Sequence, residues 1–126
     1  MKNATKLLFV WFALILPATL SAQSGRELYA EANKINAEAD KKLNAAYEHL
    51  IKSIRSSNDK DQAEFLIQSL RESQRAWLKY RDAQVAFVGT HADIGSSSSR
   101  AAGMATYSAA LTEQRIKDLK NVPNPF

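Results

Sequence analysis

Apolar residues recur at three- and four-residue intervals along most of this chain, and no stretch shows the strict alternation of a half-buried strand. Ser24-Gly25-Arg26-Glu27 has the S-x-x-E form of a helix N-terminal capping box. From there to about Ile54 the apolar positions are Leu28, Ala32, Ile35, Ala39, Leu43, Ala46, Tyr47, Leu50 and Ile54. The stretch lacks Pro and is rich in Ala, Glu, Lys and Leu, so propensity and period agree on a helix of about 30 residues. Ser56-Ser57-Asn58-Asp59-Lys60 is a polar turn, and a second helix is expected to start near Asp59 or Asp61, whose carboxylates suit an N-terminus. That helix carries Phe65 through Val88 and is expected to stop at Gly89. Gly89 to Ser99, with two glycines and four consecutive serines, reads as one long exposed loop. A third helix is expected from about Ser98 to Asn121, with Met104, Tyr107, Leu111 and Leu119 on its apolar face. Pro123 and Pro125 end it in a tail. The fold class is all-α, an elongated antiparallel three-helix bundle.

The second helix holds the most informative stretch, Trp77-Leu78-Lys79-Tyr80-Arg81-Asp82. With Trp77 at zero on a wheel of about 100° per residue, Leu66, Leu70, Tyr80, Val85, Phe87 and Val88 fall within roughly 100° of it. Arg81 falls inside that apolar arc and Asp82 points away from it. A guanidinium in such an arc cannot shed its proton, so it must find an acid or reach water along its aliphatic stem.

Helix 1 supplies the acid. Asn36 and Asp40 lie within its apolar arc, about 20° and 60° from Leu43. Asp40 lies 18 residues before Asn58 in the turn (58 − 40), and 18 residues beyond the turn is Ala76 (58 + 18). Antiparallel helices of equal rise therefore bring Asp40 within about one or two turns of Arg81. An Asp40–Arg81 pair is expected, with Asn36, Thr112 and Arg115 nearby as a buried polar seam. Such a seam reads as a structural device that fixes helix register, or as a site for an anionic ligand.

The first 22 residues carry a different pattern. Lys2 and Lys6 precede an apolar run from Leu7 to Leu16, Pro17 breaks it, and Leu20-Ser21-Ala22 offers a small residue before a cut. This is the layout of a secretory signal peptide, too short for a membrane span of about 20 residues. Residues 1–22 are therefore expected to be removed, leaving 23–126 as a single exported domain, periplasmic or secreted, with no membrane span. The formal charge of +4 then overstates the basicity. Two of the 17 basic residues leave with the signal, so the balance is 15 − 13 = +2. Acids and bases are interleaved, which is a solvated surface and not a nucleic-acid footprint. Cysteine is absent, so stability must come from packing.

Three motifs carry a family resemblance: Ala39-Asp40-x-x-Leu43-Asn44-x-x-Tyr47, Gln74-Arg75-Ala76-Trp77-Leu78-Lys79-Tyr80-Arg81-Asp82, and Leu111-Thr112-x-x-Arg115-x-x-x-Leu119. With these the chain resembles the LprI-like lysozyme-inhibitor domain family, small exported helical domains of bacteria. The resemblance implies an envelope address and, from the family's namesake, inhibition of lysozyme. It also exposes a departure. Members often carry cysteines after the Arg-Asp pair and before the helix 3 motif, joining helices 2 and 3. Here those positions hold Val85 and Tyr107, so the helix contact is expected to be packing alone and the loop untethered.

Catalysis finds no support. The expected mature chain has only His49 and His91, neither in a ligand-spaced cluster, so no metal and no cofactor is expected. The serines have no base arranged by sequence, and no helix face pairs carboxylates for acid–base work. A protein partner is left. A glycosidase cleft is lined with carboxylates, and the loop is the one segment able to protrude into it. The candidate partner-binding residues are Thr90, His91, Asp93, Ser96, Ser97, Ser98 and Arg100. The expected function is inhibition of a lysozyme-type glycosidase by occlusion. The alternative is a non-catalytic structural or interaction module of the cell envelope, in which the loop only connects two helices.

Overall fold

A computed structural model describes residues 19–91 and 96–122. Three helices fill them: α1 (Thr19–Ser57), α2 (Lys60–His91) and α3 (Ser97–Lys120). At about 1.5 Å per residue the 39 residues of α1 span about 58 Å, so the bundle is a rod. Consecutive helices run antiparallel, which leaves α1 and α3 parallel. Residues 1–18, most of the expected signal segment, lie outside the described residues, as do 92–95 and 123–126.

The turn between α1 and α2 forms where the polar run lies. Asn58 Nδ2 donates to Ile54 O at 2.8 Å and closes α1. The carboxylate of Asp59 accepts from the backbone N–H of Asp61 and of Gln62 at 3.1 and 3.0 Å, which caps α2. At the other end of the rod Ser96 caps α3, its hydroxyl accepting from Ser99 N.

The helices depart from the expected boundaries in three places. α1 starts at Thr19, not at Ser24, so the S-x-x-E run lies inside the helix and is no cap. Nothing between Thr19 and Gly25 breaks a helix, and Leu20, Ala22 and Gln23 favour one. Gly25 serves instead as a close-approach point, since a Cβ there would come within 3.3 Å of Ser98 Cβ on α3. α2 likewise passes through Gly89 and ends at His91. Gly89 does not take the left-handed conformation of a helix stop. It is buried beneath Met104, whose Sδ would stand 2.5 Å from an added Cβ. The third departure follows from the second: the loop expected over Gly89–Ser99 shrinks to the few residues between His91 and Ser97.

The core lies along three heptad-like lines. Ala32, Asn36, Ala39, Leu43, Ala46 and Leu50 run down α1, and Ala63, Ile67, Leu70, Gln74, Trp77 and Arg81 along α2. On α3 the line is Ala102, Ala105, Ala109, Thr112, Ile116 and Leu119. Such three-four alternation is the seam of helices that pack side by side. The large apolar residues expected on α3, Met104, Tyr107 and Leu111, are only half-buried, because small residues take the centre. Alanine against alanine lets α3 lie close along α1, whereas α2 sits more loosely on both. Leu43, Ala46, Ile116 and Leu119 form the larger apolar cluster, with Tyr47, Leu50, Leu70 and Trp77 against it. Four residues placed by period on the apolar arcs, Leu28, Ile35, Tyr80 and Phe87, are exposed instead. Val85 and Tyr107 are both half-buried.

Close packing at the alanine seam makes it intolerant of added volume. Ala39→Leu, at a position 1% exposed and opposed by α3, is expected to cost about 3 kcal/mol through overpacking. Urea denaturation checks this, and an unchanged midpoint would contradict the close α1–α3 contact.

Candidate functional site

The polar seam crosses the rod between its two apolar clusters. Arg81 Nη1 donates to Asp40 Oδ1 on α1 at 2.6 Å and to Thr112 Oγ1 on α3 at 3.1 Å. Thr112 is fully buried, and its hydroxyl in turn donates to Ser108 O one turn back at 2.8 Å. One guanidinium therefore touches all three helices. Its remaining near neighbour is Asp82, whose carboxylate stands 3.4 Å from Arg81 Nε but mostly in water. The Arg81 side chain is 13% exposed and that of Asp40 43%, so the pair opens to solvent on the acid's side.

Trp77 lies one turn below. Its ring takes the guanidinium of Arg81 at 5.3 Å from the centroid and that of Arg115 at 5.9 Å. Both distances are within cation–π range. Arg115 forms a separate station: its Nε donates to Gln74 Oε1 at 3.1 Å and its Nη2 to Ser73 Oγ at 2.9 Å. It thus ties α3 to α2 through neutral acceptors and does not join Asp40. Asn36, one turn from Asp40, is half-buried, and its Oδ1 is buried without a hydrogen-bond partner. Of the five expected seam residues the fold brings Asp40, Arg81 and Thr112 into one network and leaves Asn36 and Arg115 at its edges. Ser73, Gln74 and Ser108 are seam partners that sequence reasoning missed; the three-four spacing 74, 77, 81 was the signal for Gln74. Asp40 pairs with Arg81 and Thr112 accepts from the same nitrogen, Nη1, an arrangement that suits a structural tie between the three helices.

The candidate partner-binding residues sit at the α2–α3 end, but largely on helices. Thr90 Oγ1 donates to Phe87 O at 2.7 Å, and His91 Nδ1 lies 3.0 Å from the same carbonyl. Ser96 is spent as a cap and its hydroxyl also meets that of Ser99 at 3.0 Å. Ser98 is turned toward Gly25 of α1. Ser97 and Arg100 are exposed in the first turn of α3. Asp93 lies outside the described residues. At the opposite end, where α3 stops short of the α1–α2 turn, Ala45, Ala46, Leu50 and Leu119 floor an open groove of about 650 Å³. Lys42, His49 and Lys120 edge it, and Lys42 is bound to Glu113 at 3.2 Å. Among the described residues no group of three or more His, Cys, Asp or Glu is placed to hold a metal ion.

The family model described as lysozyme inhibitor LprI matches residues 18–119, well over half of the chain. The chain belongs to the LprI family. The matched span takes in α1, α2, all of α3 but its last residue, and every seam residue, so the Asp40–Arg81–Thr112 network lies within the LprI domain. No curated protein and no solved structure matches the chain. No described helix is long and apolar enough to cross a membrane.

Two outcomes follow from the seam. Arg81→Ala takes from the Thr112 hydroxyl the donor it accepts from and leaves Asp40 unpaired, and is expected to cost about 3 kcal/mol; Asp40→Ala, at a half-exposed acid, about 1–2 kcal/mol. The double variant should fall short of their sum by about 1 kcal/mol, and strictly additive losses in thermal melts would mean that the two side chains do not cooperate. Asn36→Leu removes a buried acceptor without a partner and is expected to raise stability by about 1 kcal/mol, or roughly 4–8 °C in Tm. A lower Tm would show that Asn36 holds something the fold needs.

Proposed function

We propose that the protein is exported and inhibits a lysozyme-type glycosidase, its α2–α3 end entering the enzyme's cleft. The match to the LprI lysozyme-inhibitor family over residues 18–119 carries this reading. The geometry is compatible with it. A rod braced by three long helices presents one narrow end, and binding by a rigid element loses little entropy. At that end the cation of Arg100 has no carboxylate partner among the described residues, and the Ser97 hydroxyl is exposed beside it. Both suit a cleft lined with catalytic carboxylates. Occlusion needs no catalytic group of the inhibitor's own, in keeping with a non-enzymatic role. Export rests on Lys2, Lys6 and the apolar run Leu7–Leu16.

Exposed Tyr80 and Phe87 on α2 favour a second reading, a non-catalytic interaction module of the cell envelope that uses helix faces and not the tip. Lysis of a bacterial cell-wall suspension separates the two. Stoichiometric protein is expected to slow lysozyme, and His91→Ala with Arg100→Glu to weaken that inhibition roughly tenfold or more at unchanged Tm. Lysis at the uninhibited rate with wild-type protein, against lysozymes of several kinds, would refute the inhibitor reading. Inhibition that survives the double variant would move the contact away from the tip.

A further inference from the structure

Tyr80 and Phe87 are 52% and 56% exposed, on a side of α2 about a third of a turn from the Arg81 line. Ala76 and Ala83 are exposed on the same side. The four positions are spaced 4-3-4, which is the spacing of a helix seam with nothing packed on it. None is charged, although Glu64, Arg71, Glu72, Arg75 and Lys79 are exposed on the same helix. The stripe is also held ready. The Phe87 ring lies 4.1 Å from that of His91, centroid to centroid, and Thr90 and His91 both bond back to Phe87 O.

Reading along the stripe, the side chains run small, large, small, large. We propose that it is the interface of a homodimer in which α2 of two copies pair antiparallel, about a two-fold axis passing between residues 81 and 82. That axis sets Ala76 against Phe87 of the second copy and Tyr80 against its Ala83, so each ring meets the gap left by a methyl group. Parallel pairing in register would set Tyr80 on Tyr80 and Ala83 on Ala83, bulk against bulk beside a void. The antiparallel arrangement uses the same patch on both copies and therefore closes at two. Eleven steps along the helix (87 − 76) of about 1.5 Å give a stripe of roughly 17 Å, too short for the 800 Å² or so per partner of a tight dimer. The association is therefore weak and concentration-dependent.

Sedimentation velocity on the purified protein tests this. Wild-type protein is expected to pass from monomer to dimer as its concentration rises through the micromolar range and above. Ala83→Tyr, which sets ring on ring, should weaken the dimer roughly tenfold or more. Tyr80→Ala combined with Ala83→Tyr exchanges large for small on both sides of the axis and should restore it. Since both positions are exposed, melting temperatures should stay the same and report that the variants fold. A monomer at every concentration, or a double variant as weak as the single one, would overturn the proposal. So would a chain that stays monomeric alone but binds lysozyme through these residues.

Discussion

A single guanidinium, that of Arg81, is the constraint on which the bundle turns. It cannot lose its charge, so a fold that places it among apolar residues must supply acceptors there. The chain supplies one from each neighbouring helix, a carboxylate on α1 and a hydroxyl on α3, and sets the face of Trp77 beside them. Register follows. Sliding any helix by one turn, about 5.4 Å, would take from the Arg81 guanidinium at least one of its two acceptors on the neighbouring helices. The apolar clusters on either side of the seam supply cohesion but are permissive about register, because alanine packs on alanine in several positions.

Side-chain size divides the remaining work. Small residues on α1 and α3 let those helices lie close together. The larger residues gather where α3 ends, around Leu43, Ile116 and Leu119. α2 adds polar anchors, Arg81 to both neighbours and Ser73 and Gln74 to Arg115, to the packing of Ile67, Leu70 and Trp77. A helix held in this way can leave a second face open, and the exposed aromatics of α2 lie there.

The sequence made the seam legible because rise per residue is constant in a helix. Counting outward from Asn58 brings Asp40 within one or two turns of Arg81, and the need of a guanidinium for an acid does the rest; the Asp59 cap is a local device that needs no tertiary information. The α3 face was misread for a physical reason. Weighting by hydrophobicity favours Met104, Tyr107 and Leu111, whereas burial follows how closely two backbones approach and gives the centre to Ala102, Ala105 and Ala109. The two misread glycines share one cause. Gly25 and Gly89 have the composition of helix ends, but each answers to a side chain on α3, Ser98 and Met104, which lies far away in sequence. The loop shortened as a consequence, and the candidate contact residues on either side of it moved onto helix termini, where Thr90, His91 and Ser96 bond to the backbone. Membership of the LprI family was legible from the Trp77–Asp82 string and its companions on α1 and α3.

If one guanidinium couples three helices, removing it should loosen all of them together. Native-state hydrogen exchange of wild-type protein and Arg81→Met, which keeps the stem and deletes the charge, measures this residue by residue. The opening free energies of core amides around Ala39, Trp77 and Thr112 are expected to fall by similar amounts in α1, α2 and α3. Loss of protection in α2 alone, or in none of the three, would contradict the claim that Arg81 holds the bundle in register.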